Sequence, residues 1–170
     1  MIWSVGLLLA NGCRLGSQDI PPRLQTSYPP LNDRLAKMVT ADSLAISATE
    51  AYHLPRAVYV DAREQVEYDV SHLPGALHLG FDDPDYRALD ALDRRTPLVI
   101  YCTVGYRSER MADELRGRGF TRVYNLYGSL YAWKLAGYPV VDAAGPTDRI
   151  HTYNRKWGAY FPDSLATKVY

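Results

Sequence analysis

The chemistry of this chain concentrates at Cys102, which follows the apolar run Pro97-Leu-Val-Ile-Tyr101 and opens the stretch Thr103-Val-Gly-Tyr-Arg107-Ser108. A strand that delivers a cysteine into a glycine-containing turn before a helix puts the thiol among unpaired backbone N–H groups at the positive end of the helix dipole. Such a position binds anions and favours thiolate over thiol, so Cys102 is a candidate nucleophile. Arg107 strengthens this reading, because a cation at the start of a helix opposes the dipole at a cost of about 0.3–1 kcal/mol unless an anion lies beside it. Gly105 allows the loop to turn tightly and to approach a ligand without a side chain. The structural alternative is an inert thiol packed as a small hydrophobe, the usual fate of a lone cysteine.

The elements that must position this loop are readable around it. Leu98–Tyr101 reads as a short buried strand, and Ser108 reads as the N-cap of a helix over Glu109–Arg116 whose inner stripe is Met111, Ala112 and Leu115. Gly117 and Gly119 supply the stop. Further strands are expected at Ala57–Val60, Leu77–Leu79, Arg122–Asn125 and near Lys37–Thr40, and further helices at Ser43–Tyr52, Glu64–Val70, Pro84–Leu92 and Leu130–Leu135. This alternation predicts an α/β fold with a central, mainly parallel five-stranded sheet, helices on both faces and the cysteine loop at the strand ends.

Four motifs carry a resemblance to a known family. Cys102-Thr-Val-Gly105-Tyr-Arg107-Ser108 resembles the C-x-x-G-x-R-S active-site loop of single-domain rhodaneses. Upstream, Asp61-Ala-Arg63-Glu64-Gln-Val-Glu67-Tyr68 resembles that family's D-x-R-x-x-x-E-[YF] segment, and Ser71-His72-Leu73-Pro74-Gly75-Ala76 its G-H-I-P-G-A turn. Downstream, Leu126-Tyr-Gly128-Ser129-Leu-Tyr-Ala132-Trp133 through Gly137-Tyr-Pro139-Val140 resembles the closing L-x-G-G-x-x-A-W…G-Y-P-V stretch. The motifs are in register from about Val39 to Val141, with Ser71 and Ser129 standing where the family usually has glycine.

The resemblance implies a rhodanese-like sulfurtransferase that carries sulfane sulfur as a persulfide on Cys102. The family chemistry takes sulfur from thiosulfate or a similar anionic donor and passes it to a thiol or cyanide. On that reading Thr103, Val104, Gly105, Tyr106 and Ser108 cradle the outer sulfur with their backbone amides, Arg107 neutralises the donor, and Asp61 and Arg63 support the loop. No cofactor is implied. A persulfide carrier or redox-sensing module serving a protein partner would use the same residues. Phosphatase or arsenate reductase chemistry on the related fold is the lesser alternative, because cysteine-dependent phosphatases space cysteine and arginine as C-x5-R, whereas four residues separate Cys102 from Arg107 here.

Several residues have structural readings. Asp61 with Glu64 fits a capping box on the short helix that follows. His72, just before Pro74-Gly75, is expected to hydrogen-bond locally in a turn. His53 and His78 have no metal-ligand spacing with each other or with the cysteines, and no metal is expected. Equal counts of 19 basic and 19 acidic residues give no electrostatic case for a nucleic-acid partner. A monomer is expected.

The ends divide from the middle. Residues 1–13 form an apolar segment whose Gly12-Cys13 resembles the end of a bacterial lipobox, which makes Cys13 a lipid-attachment candidate and the protein an exported, periplasmic or membrane-anchored one; the absence of Lys or Arg before the apolar run fits a cytoplasmic protein instead. Residues 14–36, with two Pro-Pro pairs, read as a tether to a domain spanning 37–141. Residues 142–170 form a C-terminal extension of unknown role, whose aromatics are expected to pack back on the domain as a closing flap, the lesser alternative being a partner or anion site.

Overall fold

The computed structural model describes residues 17–170. Cys13 and the apolar segment before it lie outside the described residues. The centre of the fold is a parallel sheet of five strands: β1 (Ala45–Ile46), β2 (Val58–Asp61), β3 (Leu77–His78), β4 (Leu98–Tyr101) and β5 (Val123–Leu126), in the order β1-β5-β4-β2-β3. β4 lies between β2 and β5, with Asp61 level with Tyr101 and Ile100 level with Asn125. All four of its residues are buried. Its alternating side chains feed two cores: Val99 and Tyr101 face one apolar cluster, Leu98 and Ile100 the other.

The helices cover both faces. α4 (Tyr106–Gly117) places Met111, Ala112 and Leu115 in the second cluster. α1 (Pro29–Leu35), α2 (Ala48–Tyr52) and α5 (Ser129–Leu135) supply the first with Leu31, Leu35, Ala48, Ala51, Leu130 and Trp133. α3 (Gln65–Val70) follows β2. The expected five-stranded parallel sheet with helices around it is therefore the observed architecture.

Three local expectations are corrected. The fifth strand is not at Lys37–Thr40 but at Ala45–Ile46, because the backbone after α1 keeps turning, with Met38 and Val39 N–H both donating to the Leu35 carbonyl. The helix expected from Ser43 begins only at Ala48, where Ser47 and Glu50 form a capping box; the residues before it pair with β5. Pro84–Leu92 shortens to a 3-10 turn over Tyr86–Leu89.

The largest correction concerns the expected tether. Within 14–36, Leu24, Leu31 and Leu35 are buried in the first cluster, and two proline-started helical turns, a 3-10 turn at Pro22–Leu24 and α1, bring them there. Proline at the first helical position loses no hydrogen bond, so the Pro-Pro pairs start helices instead of extending the chain. The C-terminal extension packs as a flap, as expected. After a hairpin of β6 (Val140–Asp142) and β7 (Gly145–Thr147) come β8 (Arg149–His151), α6 (Arg155–Gly158) and β9 (Thr167–Val169), the last pairing in parallel with β8. Ile150 and Phe161 enter the first cluster, and the Tyr131 hydroxyl donates to the Trp157 carbonyl.

Asp61 and Arg63 form the ion pair beneath the site. Both side chains are wholly buried; Arg63 donates from Nε to Asp61 Oδ1 at 2.9 Å and from Nη2 to Oδ2 at 2.7 Å. Nη2 also reaches the Ser71 carbonyl at 2.6 Å, which ties the end of β2 to the far end of α3. Asp61 thus caps no helix; the N-cap of α3 is Glu64, whose N–H donates to Glu67. Breaking a buried ion pair from one side strands the other charge, at a cost of about 3–5 kcal/mol. Arg63→Met is expected to lower stability by that order in chemical denaturation, and adding Asp61→Asn to recover part of it. A loss within about 0.5 kcal/mol, the range of ordinary surface substitutions, would show that the pair does not brace this loop.

Candidate active site

The site is the junction of β4 and α4. Gly105, at φ +122°, turns the chain between them, and a Cβ there would stand 3.3 Å from the Val39 methyls. Glycine therefore serves both the turn and the close packing. α4 begins at Tyr106, three residues earlier than its sequence suggests, with Gly105 as N-cap. Ser108 is not the cap. It lies buried in the first turn and donates its hydroxyl to Asn125 Oδ1 at 2.7 Å, while Asn125 Nδ2 donates to the Gly105 carbonyl at 3.2 Å. The earlier start brings Arg107 into the first turn and leaves the Gly105 N–H free to donate to Cys102 Sγ at 3.1 Å.

Cys102 is buried beneath this turn. Its own N–H donates to Ser129 Oγ at 3.0 Å, and the hydroxyls of Ser108 and Ser129 stand 3.7 and 4.0 Å from Sγ. Burial pushes the thiol up; the Arg107 charge, the backbone N–H groups of Ser108 and Gly105, and the Ser108 hydroxyl outweigh it, so the thiol titrates below its ordinary value. With the Ser108 proton engaged by Asn125, the charge of Arg107 and the loop amides carry most of this effect.

Arg107 is not an isolated cation. It donates from Nη1 to Glu67 Oε2 at 2.6 Å and from Nη2 to Oε1 at 2.8 Å, and Nη2 also reaches Thr103 Oγ1 at 3.2 Å. Thr103 in turn donates to Glu67 Oε1 at 3.1 Å. The side chains of Arg107 and Glu67 are 14% and 2% exposed, so the pair is nearly dry. Burial raises the Glu67 carboxyl, and Arg107 and then Arg63 more than reverse this, holding it below the ordinary range. The anion that a cation at this helix end requires is therefore supplied by α3.

Of the residues singled out by sequence, Cys102, Thr103, Val104, Tyr106 and Arg107 line one cavity of about 480 Å³, while Gly105 and Ser108 do not line it and stand against the Cys102 thiol instead. Asp61 and Arg63 stand outside it as braces. Tyr106 is half-exposed, its ring covered by the Arg110 guanidinium at 3.5 Å. His72 hydrogen-bonds locally through Nδ1 to the Tyr68 carbonyl at 3.0 Å and stacks on the Tyr68 ring. Sequence reasoning missed Glu67 as a site residue, although it lies in the quoted D-x-R-x-x-x-E segment, three positions beyond the N-cap Glu64. Ser129, with φ +49°, was noted only as a departure, yet it holds the Cys102 backbone. Arg34, Tyr153 and Trp157 also line the cavity, from segments on either side of the motifs.

A thiol held as thiolate by charge and amides has a direct signature. The alkylation rate of Cys102 by iodoacetamide is expected to rise through a midpoint below the ordinary thiol pKa of 9.0. The double variant Arg107→Met, Glu67→Gln, which leaves no carboxylate buried alone, is expected to move that midpoint up. Because the folded state favours the thiolate, Cys102 contributes stability above the unfolded thiol's pKa that is lost as pH falls through the folded value. An unmoved midpoint in the double variant would show that Arg107 does not set the charge of the thiol.

With this geometry in place, the likeness to known proteins can be located on it. The model of the rhodanese-like domain matches residues 45–136. Thiosulfate sulfurtransferase GlpE of Coxiella burnetii is 36% identical over 101 residues, covering 58% of this chain and 92% of that protein. The solution structure of the rhodanese-like domain of an Anabaena protein aligns with a TM-score of 0.53 at 24% identity, over 59% of this chain and 80% of that one. A crystal structure of thiosulfate sulfurtransferase from Pseudomonas aeruginosa aligns with a TM-score of 0.53 at 27% identity, over 58% of this chain and 20% of that one. The family match runs from β1 through α5, and so takes in the parallel sheet, the cysteine loop and both buried ion pairs: this chain belongs to the rhodanese-like domain family.

Proposed function

We propose that the protein is a sulfurtransferase that moves sulfane sulfur from thiosulfate, or a similar anionic donor, to a thiol or cyanide through a persulfide on Cys102. The observation that carries the reading is the buried, depressed thiol at the head of α4, open to a cavity and faced by Arg107. In the first step Cys102 Sγ⁻ attacks the outer sulfur of thiosulfate. A new Sγ–S bond forms, the bond to the sulfonyl sulfur breaks, and sulfite leaves with that electron pair. The outer sulfur inherits the negative charge, and backbone N–H groups at the start of α4 are placed to receive it. In the second step a thiophilic acceptor takes the outer sulfur and Sγ leaves as thiolate.

Intact-mass analysis after incubation with thiosulfate is expected to show the gain of one sulfur atom on wild-type protein, with sulfite released in equal amount. Cys102→Ser is expected to do neither while unfolding, at a pH below the folded thiol's titration, at an unchanged denaturant midpoint, since serine keeps the volume but not the thiolate. Sulfur uptake by the serine variant would overturn the assignment of the nucleophile. With cyanide present, sulfite release is expected to continue over many turnovers; a halt after one equivalent would make the protein a carrier and not an enzyme.

The short loop also separates sulfur transfer from phosphoryl chemistry. One residue inserted between Gly105 and Arg107 gives the C-x5-R spacing, and it is expected to reduce sulfur transfer by about tenfold or more, since a displacement of about 1 Å in a catalytic group can cost about 10²-fold. Wild-type protein is expected to leave aryl phosphates intact. Undiminished sulfur transfer after the insertion would show that loop length does not select the substrate.

A further inference from the structure

Arg34 is the cationic side chain in the cavity that the fold has left without a counter-ion. It projects from α1, in the segment that precedes the family match, and it lines the same cavity as Cys102. Among the described residues no carboxylate lies within ion-pair distance of it, and residues 1–16 contain no Asp or Glu. Its Nε is buried with no hydrogen-bond acceptor among the described residues. The guanidinium is held instead by aromatic faces of the C-terminal extension, 4.9 Å from the Trp157 ring centroid and 5.8 Å from that of Tyr160. Arg107 also lies over a ring of the extension, 5.2 Å from the Tyr153 centroid, but it differs in its donors, which Glu67 and Thr103 already occupy.

A buried N–H without an acceptor loses its hydration with nothing in return, and the loss is greater when the group is charged. A planar cation with unused donors, fixed by stacking, matches a carboxylate or sulfonate in two-point contact. The two acids of the cavity, Glu64 and Asp82, do not meet this demand, since neither pairs with Arg34 and the Asp82 residue is exposed to solvent. The cavity volume of about 480 Å³ lies within the roughly 300–1,000 Å³ of sites for organic ligands, and it exceeds the need of an oxyanion of two sulfurs and three oxygens. Phe81, Tyr106, Tyr153 and Trp157 give it apolar walls.

We propose that Arg34 is a specificity-determining residue that binds the carboxylate of a small organic thiol, so that the sulfur acceptor is an anionic low-molecular-weight thiol. This rests on the sulfurtransferase reading above. The acceptor thiol gives its proton to the anionic outer sulfur of Cys102–S–S⁻, and the thiolate so formed attacks that sulfur. A bond forms between the two sulfurs, the Sγ–S bond breaks with its electron pair going to Sγ, and the product R–S–SH keeps the proton. Arg34 takes no part in bond making; it holds the far end of the acceptor.

The test uses three acceptors of similar size and different charge, 3-mercaptopropionate, 2-mercaptoethanol and cysteamine, on full-length protein loaded with thiosulfate. For each thiol the rate of sulfur removal from Cys102 in wild type is divided by that in Arg34→Gln, which cancels differences in thiol acidity. The ratio is expected to be about ten or more for the carboxylate, the factor that about 1.4 kcal/mol of a charge-assisted contact represents, close to one for the alcohol and below one for the amine. Arg34→Lys, which keeps the charge, is expected to restore part of the carboxylate ratio. Equal ratios for all three thiols would overturn the proposal and give Arg34 a structural role.

A second measurement does not depend on sulfur transfer. Phenylacetate is expected to protect Cys102 from iodoacetamide better than phenylacetamide in wild type, and no better in Arg34→Gln. If thiosulfate fails to load Cys102 while this difference is found, the sulfurtransferase reading falls and the anion site stands. If loading succeeds and neither the protection nor the thiol ratios depend on charge, the anion site falls alone.

Discussion

A charge can be kept out of water only where fixed dipoles and counter-charges replace the hydration it loses, and Cys102 imposes that requirement on this fold. The thiol is buried, so its ionised form must be held by the protein itself. Two things hold it: the first N–H groups of α4, which have no partner within the helix, and the guanidinium of Arg107. Both depend on α4 starting at Tyr106, and that start depends on Gly105 adopting a positive φ against the Val39 methyls. One dihedral angle at one glycine thus places both the dipole and the cation.

Arg107 creates a second requirement, because it puts positive charge at the positive end of a helix. Glu67 meets it from α3, and Thr103 bridges the two. α3 must therefore be fixed relative to α4, although neither helix is long. The fixing passes through Arg63, whose guanidinium joins Asp61 at the end of β2 to the Ser71 carbonyl just past α3. β2 is in turn registered on β4, with Asp61 level with Tyr101, and the Tyr101 hydroxyl accepts the Leu73 N–H on the same loop. The two buried ion pairs are consecutive members of one construction that runs from the sheet to the thiolate, and Arg63 contributes to holding Glu67 ionised as well as in place.

What the sequence disclosed follows the range of the forces involved. β4 was legible to the residue, since a run of four buried apolar residues between a proline and a loop has few other solutions. The cysteine loop was legible too, as its chemistry is local. Val39 was misread, because an apolar residue in a turn that packs against Gly105 gives the same signal as one in a strand. Ser108 was misread because a hydroxyl near a helix start can cap or can turn inward, and the choice was made by Asn125, 17 residues away. Asp61 has an adequate local role as a cap, and only the tertiary fold gives it Arg63 in a dry environment. The Pro-Pro pairs misled for a different reason: proline fixes φ at a value that serves an extended chain and a first helical turn alike, and the buried leucines after them decide which.

The same division separates the reacting centre from the walls around it. Cys102, Arg107, Glu67 and the loop amides lie within the span that matches the family, and the amides and the guanidinium form around the thiol the kind of positive nest that holds an anion. That centre alone sets no preference for what lies beyond the outer sulfur. Here α1 approaches from the N-terminal side and α6 from the C-terminal side, and they meet where Arg34 stacks on Trp157. Stacking lets each restrict the other while leaving the guanidinium edge uncommitted, because cation–π contact engages the face of the group and hydrogen bonds use its rim. The extensions therefore add to the cavity a second, directional positive charge whose donors are unused, at a place where the sulfur chemistry itself does not call for one.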